Sequence, residues 1–326
     1  GGFLGVSTFF TLSGFLITTL LVAERSATGT VSLRRFWERR LRRLLPASLL
    51  TIAAIVGTAP LWLAPSQREH LSDDAFATLF YAVNWRFMSP EYAYNLIFTD
   101  PSPLQHFWSL AIEGQFYVVF PLIVALVLRA GGGTRALGVL CVVATIASVG
   151  VALASPSLEA AQHRLYYGTD ARAGELLIGA LLALALRARE PASWSGLRVA
   201  GPPAALLIVA AWLFATVGDA WLYRGGFALY ALCSATVVAS AARNDRVRPD
   251  SRTVPGMFAA TSAWPLFITV SPTVQDFPTS KRRHRCGEPN VRAVASRRRR
   301  ALSGETLHFL QRHRTNFLDH GRSLRR

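Results

Sequence analysis

Cysteine is almost missing from this chain: Cys141 and Cys233 lie in apolar blocks and Cys286 in the closing stretch. Three thiols so placed exclude a disulfide framework and give no metal-ligand spacing. Charge is sparse as well. Only 17% of the 326 residues are charged, against 51% hydrophobic, and the mean hydropathy is +0.30. No repeat of fixed period runs through the sequence. The opening "GGFLGVSTFF" has no Met, no basic n-region and no small-residue cleavage site. That excludes a secretory signal peptide, and the opening is expected to be the interior of a longer protein.

What is present is hydrophobic length. The apolar residues gather into long blocks separated by short Arg-rich joints, and the blocks approach the roughly 20 residues that cross about 30 Å of hydrocarbon. Spans are expected near 3–23, 44–64, 107–128, 136–154, 167–187, 202–217 and 226–242, with a shorter eighth at 256–271. The fold class is therefore all-α, a polytopic membrane helix bundle. The expected organisation is one membrane domain over 1–255, a last span at 256–271, and a basic tail over 272–326.

Basic charge gives the orientation. Joints 24–43, 129–135, 188–201 and 243–253 carry 7, 2, 2 and 4 Arg, and the alternate joints 65–106, 155–166 and 218–225 carry 2, 1 and 1. Arg-rich joints face the cytoplasm. The tail holds 14 Lys and Arg against 4 Asp and Glu and four of the seven His. It lacks apolar periodicity and reads as disordered, or as the product of a frame change or truncation. Arg between membrane blocks marks orientation, so nucleic acid is not an expected partner. The outer joint 65–106 carries the aromatic run "FYAVNWRFMSPEYAYNLIF", suited to a membrane interface or to a plain loop.

Four stretches carry candidate chemistry. In "HFWSLAIEGQFYVVFPL", helical spacing puts His106, Ser109, Glu113 and Tyr117 on one face, with Glu113 about 10 Å along from His106. An ionisable group at that depth lines an internal cavity or bonds to a neighbouring helix. In "SLRRFWERRLRRLLP", Arg39 with Arg42, or Arg40 with Arg43, are i,i+3 pairs able to grip a phosphate group or to anchor the chain inside; Pro46 opens the membrane block. In "LYYGTDARAGELLIGALLAL", Tyr167, Asp170, Arg172 and Glu175 stand at the outer end of a span. The three charges pair with each other or line a substrate cleft, and Gly174 and Gly179 allow close packing. In "GGFLGVSTFFTLSGFLI", Gly1, Gly2, Gly5 and Gly14 thin a helix that also bears Ser7, Thr8, Thr11 and Ser13.

Taken in order, "GGFLGVSTFFTLSGFLITTLL", "FWERRLRRLLPA", "FWSLAIEGQFYVVFPL" and "YYGTDARAGELLIGALLAL" resemble the acyltransferase family 3 membrane proteins of bacteria. The motifs cover residues 1 to about 187, and the topology extends to about 242. The resemblance implies a bundle of about ten helices in the bacterial cell membrane. It implies transfer of an acyl group, usually acetyl, from cytoplasmic acyl-CoA to a sugar hydroxyl outside. The partners implied are acyl-CoA, a carbohydrate acceptor and the lipid bilayer. No metal is implied, and no cofactor beyond acyl-CoA as co-substrate. Arg39, Arg40, Arg42 and Arg43 match the family's paired-arginine motif, which meets the donor. His106, Glu113 and Tyr117 are the catalytic candidates, and Tyr167, Asp170, Arg172 and Glu175 the cleft candidates. General-base activation of a hydroxyl, or an acyl-histidine-like relay, is the implied chemistry.

Two departures stand out. The family's catalytic His lies on a helix that would precede Gly1, and the family's second acid is Gly114 here. The chain is expected to be an incomplete fragment of a membrane O-acyltransferase, active or descended from an active one. A multi-pass transporter or flippase of a glycan precursor is the alternative, since intramembrane charge and thin helices also suit a substrate path. Such a protein should show related halves, and none are visible.

Overall fold

The structure is a computed structural model that describes residues 1–89, 92, 100–155, 158–188 and 196–247. The expected last span at 256–271 and the basic tail at 272–326 lie outside the described residues.

Every element among the described residues is helical. A 3-10 turn (Gly2–Leu4) leads into α1 (Gly5–Thr28), followed by α2 (Leu33–Trp62), α3 (Pro65–Leu79) and the short α4 (Val83–Phe87). Then come α5 (Phe107–Arg129), α6 (Gly133–Leu153), α7 (Leu158–Tyr167), α8 (Thr169–Ala188), α9 (Gly196–Phe214), a π turn (Leu222–Gly226) and α10 (Phe227–Val247). Among the described residues, five helices are long and apolar enough to cross a membrane: Gly2–Thr28, Leu33–Trp62, Phe107–Arg129, Gly133–Leu153 and Leu222–Ala242. The apolar helix at Val199–Phe214 is shorter. Helix α8 has 20 residues but carries Asp170, Arg172, Glu175 and Arg187.

Two boundaries differ from those expected. The arginine-rich stretch before residue 44 is the first part of α2, not a joint, and Pro46 sits inside that helix. Fourteen residues into a helix, a proline loses one i→i−4 bond and kinks rather than ends it when neighbours hold both halves. The aromatic outer joint is likewise partly helical, with α3 and α4 folded across it.

The apolar surface lies where lipid would meet it. Leu50, Leu61 and Trp62 of α2, Leu126 of α5, Val139 and Ile146 of α6, and Leu206, Leu213 and Phe214 of α9 are all exposed. By contrast α1 and α8 form the interior and pack backbone to backbone. A Cβ on Gly14 would lie 1.8 Å from the Leu176 carbonyl oxygen, and one on Gly179 would lie 1.9 Å from that of Thr11. Small residues at such a crossing let two membrane helices exchange dispersion contacts along their backbones. Gly179→Ala is therefore expected to lower stability by about 2–3 kcal/mol, the cost of overpacking a filled interface. Thermal unfolding in detergent measures it, and an unchanged midpoint would show that α1 and α8 can separate freely.

Candidate active site

The site begins on α5. The face of Ser109, Glu113 and Tyr117 turns inward as the spacing requires, and Val118 on the other side is 53% exposed. Glu113 is 1% exposed. One of its carboxyl oxygens accepts hydrogen bonds from Ser13 Oγ on α1 and from Tyr117 Oη one turn further along α5. Two hydroxyl donors on one oxygen are what a carboxylate in hydrocarbon requires, because an unpaired one costs several kcal/mol.

Helix α2 brings the arginines to this acid. Pro121 has no N–H, so the carbonyl of Tyr117 has no partner one turn ahead. The indole Nε1 of Trp37 on α2 donates to that carbonyl at 2.9 Å. The docking swings Arg40 onto the site, with its guanidinium carbon 4.9 Å from the centre of the Tyr117 ring and 5.7 Å from that of Phe36. Arg40 and Arg43 both direct positive charge at Glu113. The i,i+3 pairs thus divide: Arg40 and Arg43 are half-buried and face the acid, and Arg39 and Arg42 are exposed. Arg39 lies 4.0 Å from Glu24, and Arg34 pairs with Glu38.

Beside these groups is a cavity of about 840 Å³ between α2, α5 and α8. Trp37, Arg40 and Tyr117 line one part of it, and Gln115, Thr169 and Trp85 line another. Most of the remaining wall is apolar, including Phe116, Val119 and Phe120. Glu113 is behind this wall and reaches it through Tyr117. A closed polar network braces the second part. Thr169 Oγ1 donates to Gln115 Oε1 at 2.6 Å, and Gln115 Nε2 donates to Asn84 Oδ1 at 2.8 Å and to the Tyr81 carbonyl at 2.7 Å. Asn84 Nδ2 returns bonds to Thr169 Oγ1 and the Tyr167 carbonyl.

The other expected site residues fall elsewhere. His106 occupies the position before α5, half-buried, about two turns from Glu113 and joined to it by no hydrogen bond. Burial lowers its imidazole pKa. Two of the three charges of α8 pair with each other, Arg172 and Glu175, and Asp170 does not join them. Asp170 is held by Arg164 of α7 through two contacts of 2.6 and 3.2 Å. Positions 170 and 172 differ by about 200° around a helix, so their side chains diverge. Arg172 instead pairs with Glu175 at 3.0 Å and donates to Ser7 Oγ at 3.1 Å. The rings of Phe10, Trp108, Tyr166 and Phe227 surround the guanidinium, the last at 3.8 Å. Arg172 and Glu175 are 1% and 2% exposed, and Tyr167 is fully buried with its hydroxyl bonded to Gln105. None of Tyr167, Asp170, Arg172 and Glu175 lines the large cavity. No group of His, Cys, Asp and Glu among the described residues is arranged to hold a metal ion.

Sequence reasoning assigned no site role to Ser13, Trp37, Tyr81 or Gln115. Hydroxyls in α1 give no signal of their own, because Thr11 and Thr18 bond their own helix while Ser13 crosses to Glu113. His163 on α7 was also unassigned. It packs against the rings of Tyr92 and Tyr167, and burial pushes its imidazole down to about 4. A base whose folded pKa is depressed contributes stability fully present above its unfolded value near 6.5, and loses it as pH falls toward 4. Acidification from pH 7 to 4 should therefore cost about 3 kcal/mol through this group. His163→Gln should flatten that part of the pH–stability curve, and parallel curves would show that His163 does not carry it.

Helices long and apolar enough to cross a membrane thus bring a buried acid and Arg40 to one apolar cavity. The acyltransferase domain family matches residues 1–262, and the chain belongs to it. The chain is 36% identical over 252 residues to O-acetyltransferase OatA of Staphylococcus aureus (strains NCTC 8325 / PS 47 and COL), with 74% of this chain and 40% of those proteins aligned. It is also 36% identical over 254 residues to the provisionally named O-acetyltransferase SACOL0978 of Staphylococcus aureus (strain COL), with the same coverage. The chain thus spans about 40% of the length of these relatives. No solved structure matches it. Family membership favours an acyltransferase over the transporter alternative.

Proposed function

We propose that this chain moves an acyl group, acetyl in the simplest case, from cytoplasmic acyl-CoA to a hydroxyl of an extracytoplasmic carbohydrate, within the bacterial cell membrane. The observation that carries the reading is the meeting of Arg40 and Tyr117 at the wall of one cavity, with Glu113 bonded to Tyr117 behind it. Arg40 and Arg43 approach along the helix whose start faces the cytoplasm, where the phosphates of CoA would meet them. A guanidinium offers a phosphate two parallel N–H donors.

Glu113 serves as the base and Tyr117 as its contact with the cavity. The acceptor hydroxyl gives its proton to Tyr117 Oη as Tyr117 gives its own to Glu113. The acceptor oxygen attacks the thioester carbonyl, a C–O bond forms and the C–S bond breaks. The thiolate of CoA then takes a proton from Tyr117 Oη as Glu113 returns its own to Tyr117. Positioned acid–base groups of this kind contribute about 10²–10⁴-fold.

The test is transfer of radiolabelled acetyl from acetyl-CoA to external glycan in membranes containing the full chain. Arg40→Ala should raise the KM for acetyl-CoA about 10- to 100-fold, as expected for a lost hydrogen bond between charged groups. Transfer that is absent in the parent chain, or indifferent to Arg40, would overturn the reading.

A further inference from the structure

We propose that Tyr81 is a positioning residue that clamps the arginine-bearing helix α2 to the acid-bearing helix α5. Tyr81 stands just after α3, where the chain closes a Schellman turn. Its N–H bonds to the Thr78 carbonyl, and that of Ala82 bonds to the Ala77 carbonyl. The residue at this place must adopt the left-handed conformation, so glycine is the usual occupant. Tyr81 has φ of 55°, and no other non-glycine residue among those described has a positive φ. A side chain there costs about 1 kcal/mol or more, so the surroundings must fix it.

Three contacts do so. The Tyr81 carbonyl accepts from Gln115 Nε2 on α5 at 2.7 Å. Its ring occupies the gap left by Gly114, where an added Cβ would come within 2.3 Å of the ring edge. Its side chain shares a small pocket with Ser48 of α2, and the proposed clamp is the hydrogen bond between the two hydroxyls. Tyr81 thus ties α2 to α5 at the residue directly after Glu113. Helix α2 is largely exposed along its length, and its other contacts with α5 are Phe36, Trp37 and Arg40 at Tyr117 and an apolar patch against Phe107. The Trp37 contact and the Tyr81 contact lie on either side of Arg40 and Arg43 along α2. Together they fix where the two guanidinium groups stand relative to Glu113. Gly114 is required in this arrangement because any larger residue would displace the Tyr81 ring.

The inference rests on the reading that Arg40 and Arg43 hold the acyl donor, and its test separates the two. Tyr81→Phe keeps the ring and removes the hydroxyl, and Ser48→Ala removes the partner. In the full chain each should raise the KM for acetyl-CoA about 3- to 10-fold, the effect of one neutral hydrogen bond, with kcat within about twofold. The double variant should be no worse than either single, because one bond is lost in all three. Nitroxide labels on Leu50→Cys and Leu126→Cys, with Cys141, Cys233 and Cys286 replaced by serine, report the α2–α5 distance without any turnover. Tyr81→Phe should broaden a distribution that is narrow in the parent. An unbroadened distribution, additive losses, or an effect on kcat alone would each overturn the clamp. A parent chain that transfers nothing overturns the proposed function instead, and the label distances still decide the clamp.

Discussion

Replacing Glu113 with glutamine should reduce acyl transfer by about 10²–10⁴-fold while leaving the fold in place. Glutamine keeps an oxygen to accept from Ser13 and Tyr117 and fills nearly the same volume, so the buried site stays satisfied. What it cannot do is take a proton. Tyr117→Phe should fall by a similar factor, because Tyr117, not Glu113, borders the cavity. The double variant should be little worse than either single, as expected when two groups act as one unit. Steady-state transfer rates, read beside thermal unfolding midpoints, separate chemistry from stability. Equal and additive losses of ten-fold or less would assign Glu113 to packing. His106, on the same face but at the end of α5, gives a useful comparison. His106→Gln is expected to leave the rate within a few-fold, because no contact joins it to the acid.

The second large effect concerns the ion pair between Arg172 and Glu175. Arg172→Met leaves the buried Glu175 carboxylate with its cation gone. The expected loss is about 3–5 kcal/mol. Glu175→Leu strands the guanidinium instead, although the aromatic faces recover part of that loss through cation–π attraction. The double variant Arg172→Met with Glu175→Leu should regain most of the lost stability, because apolar groups of similar volume replace a buried pair at little net cost. Transfer activity in the double variant decides the role of the pair. A stable, active double variant makes the pair structural, and a stable but inactive one would return it to the substrate path. A double variant as unstable as the singles would show that the enclosure itself depends on the charges.

The helices and their approximate limits could be read from the sequence, because a 20-residue apolar block has few alternatives to a helix in hydrocarbon. Helix α5 was expected over 107–128 and runs Phe107–Arg129. The grouping of Ser109, Glu113 and Tyr117 on one inward face followed from 3.6-residue periodicity. The start of α2 was not legible, since six arginines in eleven residues read as a joint by hydropathy although arginine is a good helix former. Pro46 was misplaced for a related reason: whether a proline ends or only kinks a helix depends on what packs beside it.

By itself, then, the sequence determined an all-helical protein with helices long enough to cross a membrane, its family resemblance, and the residue types available for acyl transfer. Only the tertiary structure decided which of them meet. It chose Arg40 and Arg43 over Arg39 and Arg42, gave Asp170 to Arg164 and Arg172 to Glu175, and set Ser13 and Tyr117 on one oxygen of Glu113. Periodicity fixes the face a residue occupies on its own helix. Which neighbour that face meets is fixed by how helices cross, through Gly14 against Leu176, Gly179 against Thr11, and Trp37 at the carbonyl that Pro121 leaves unpaired.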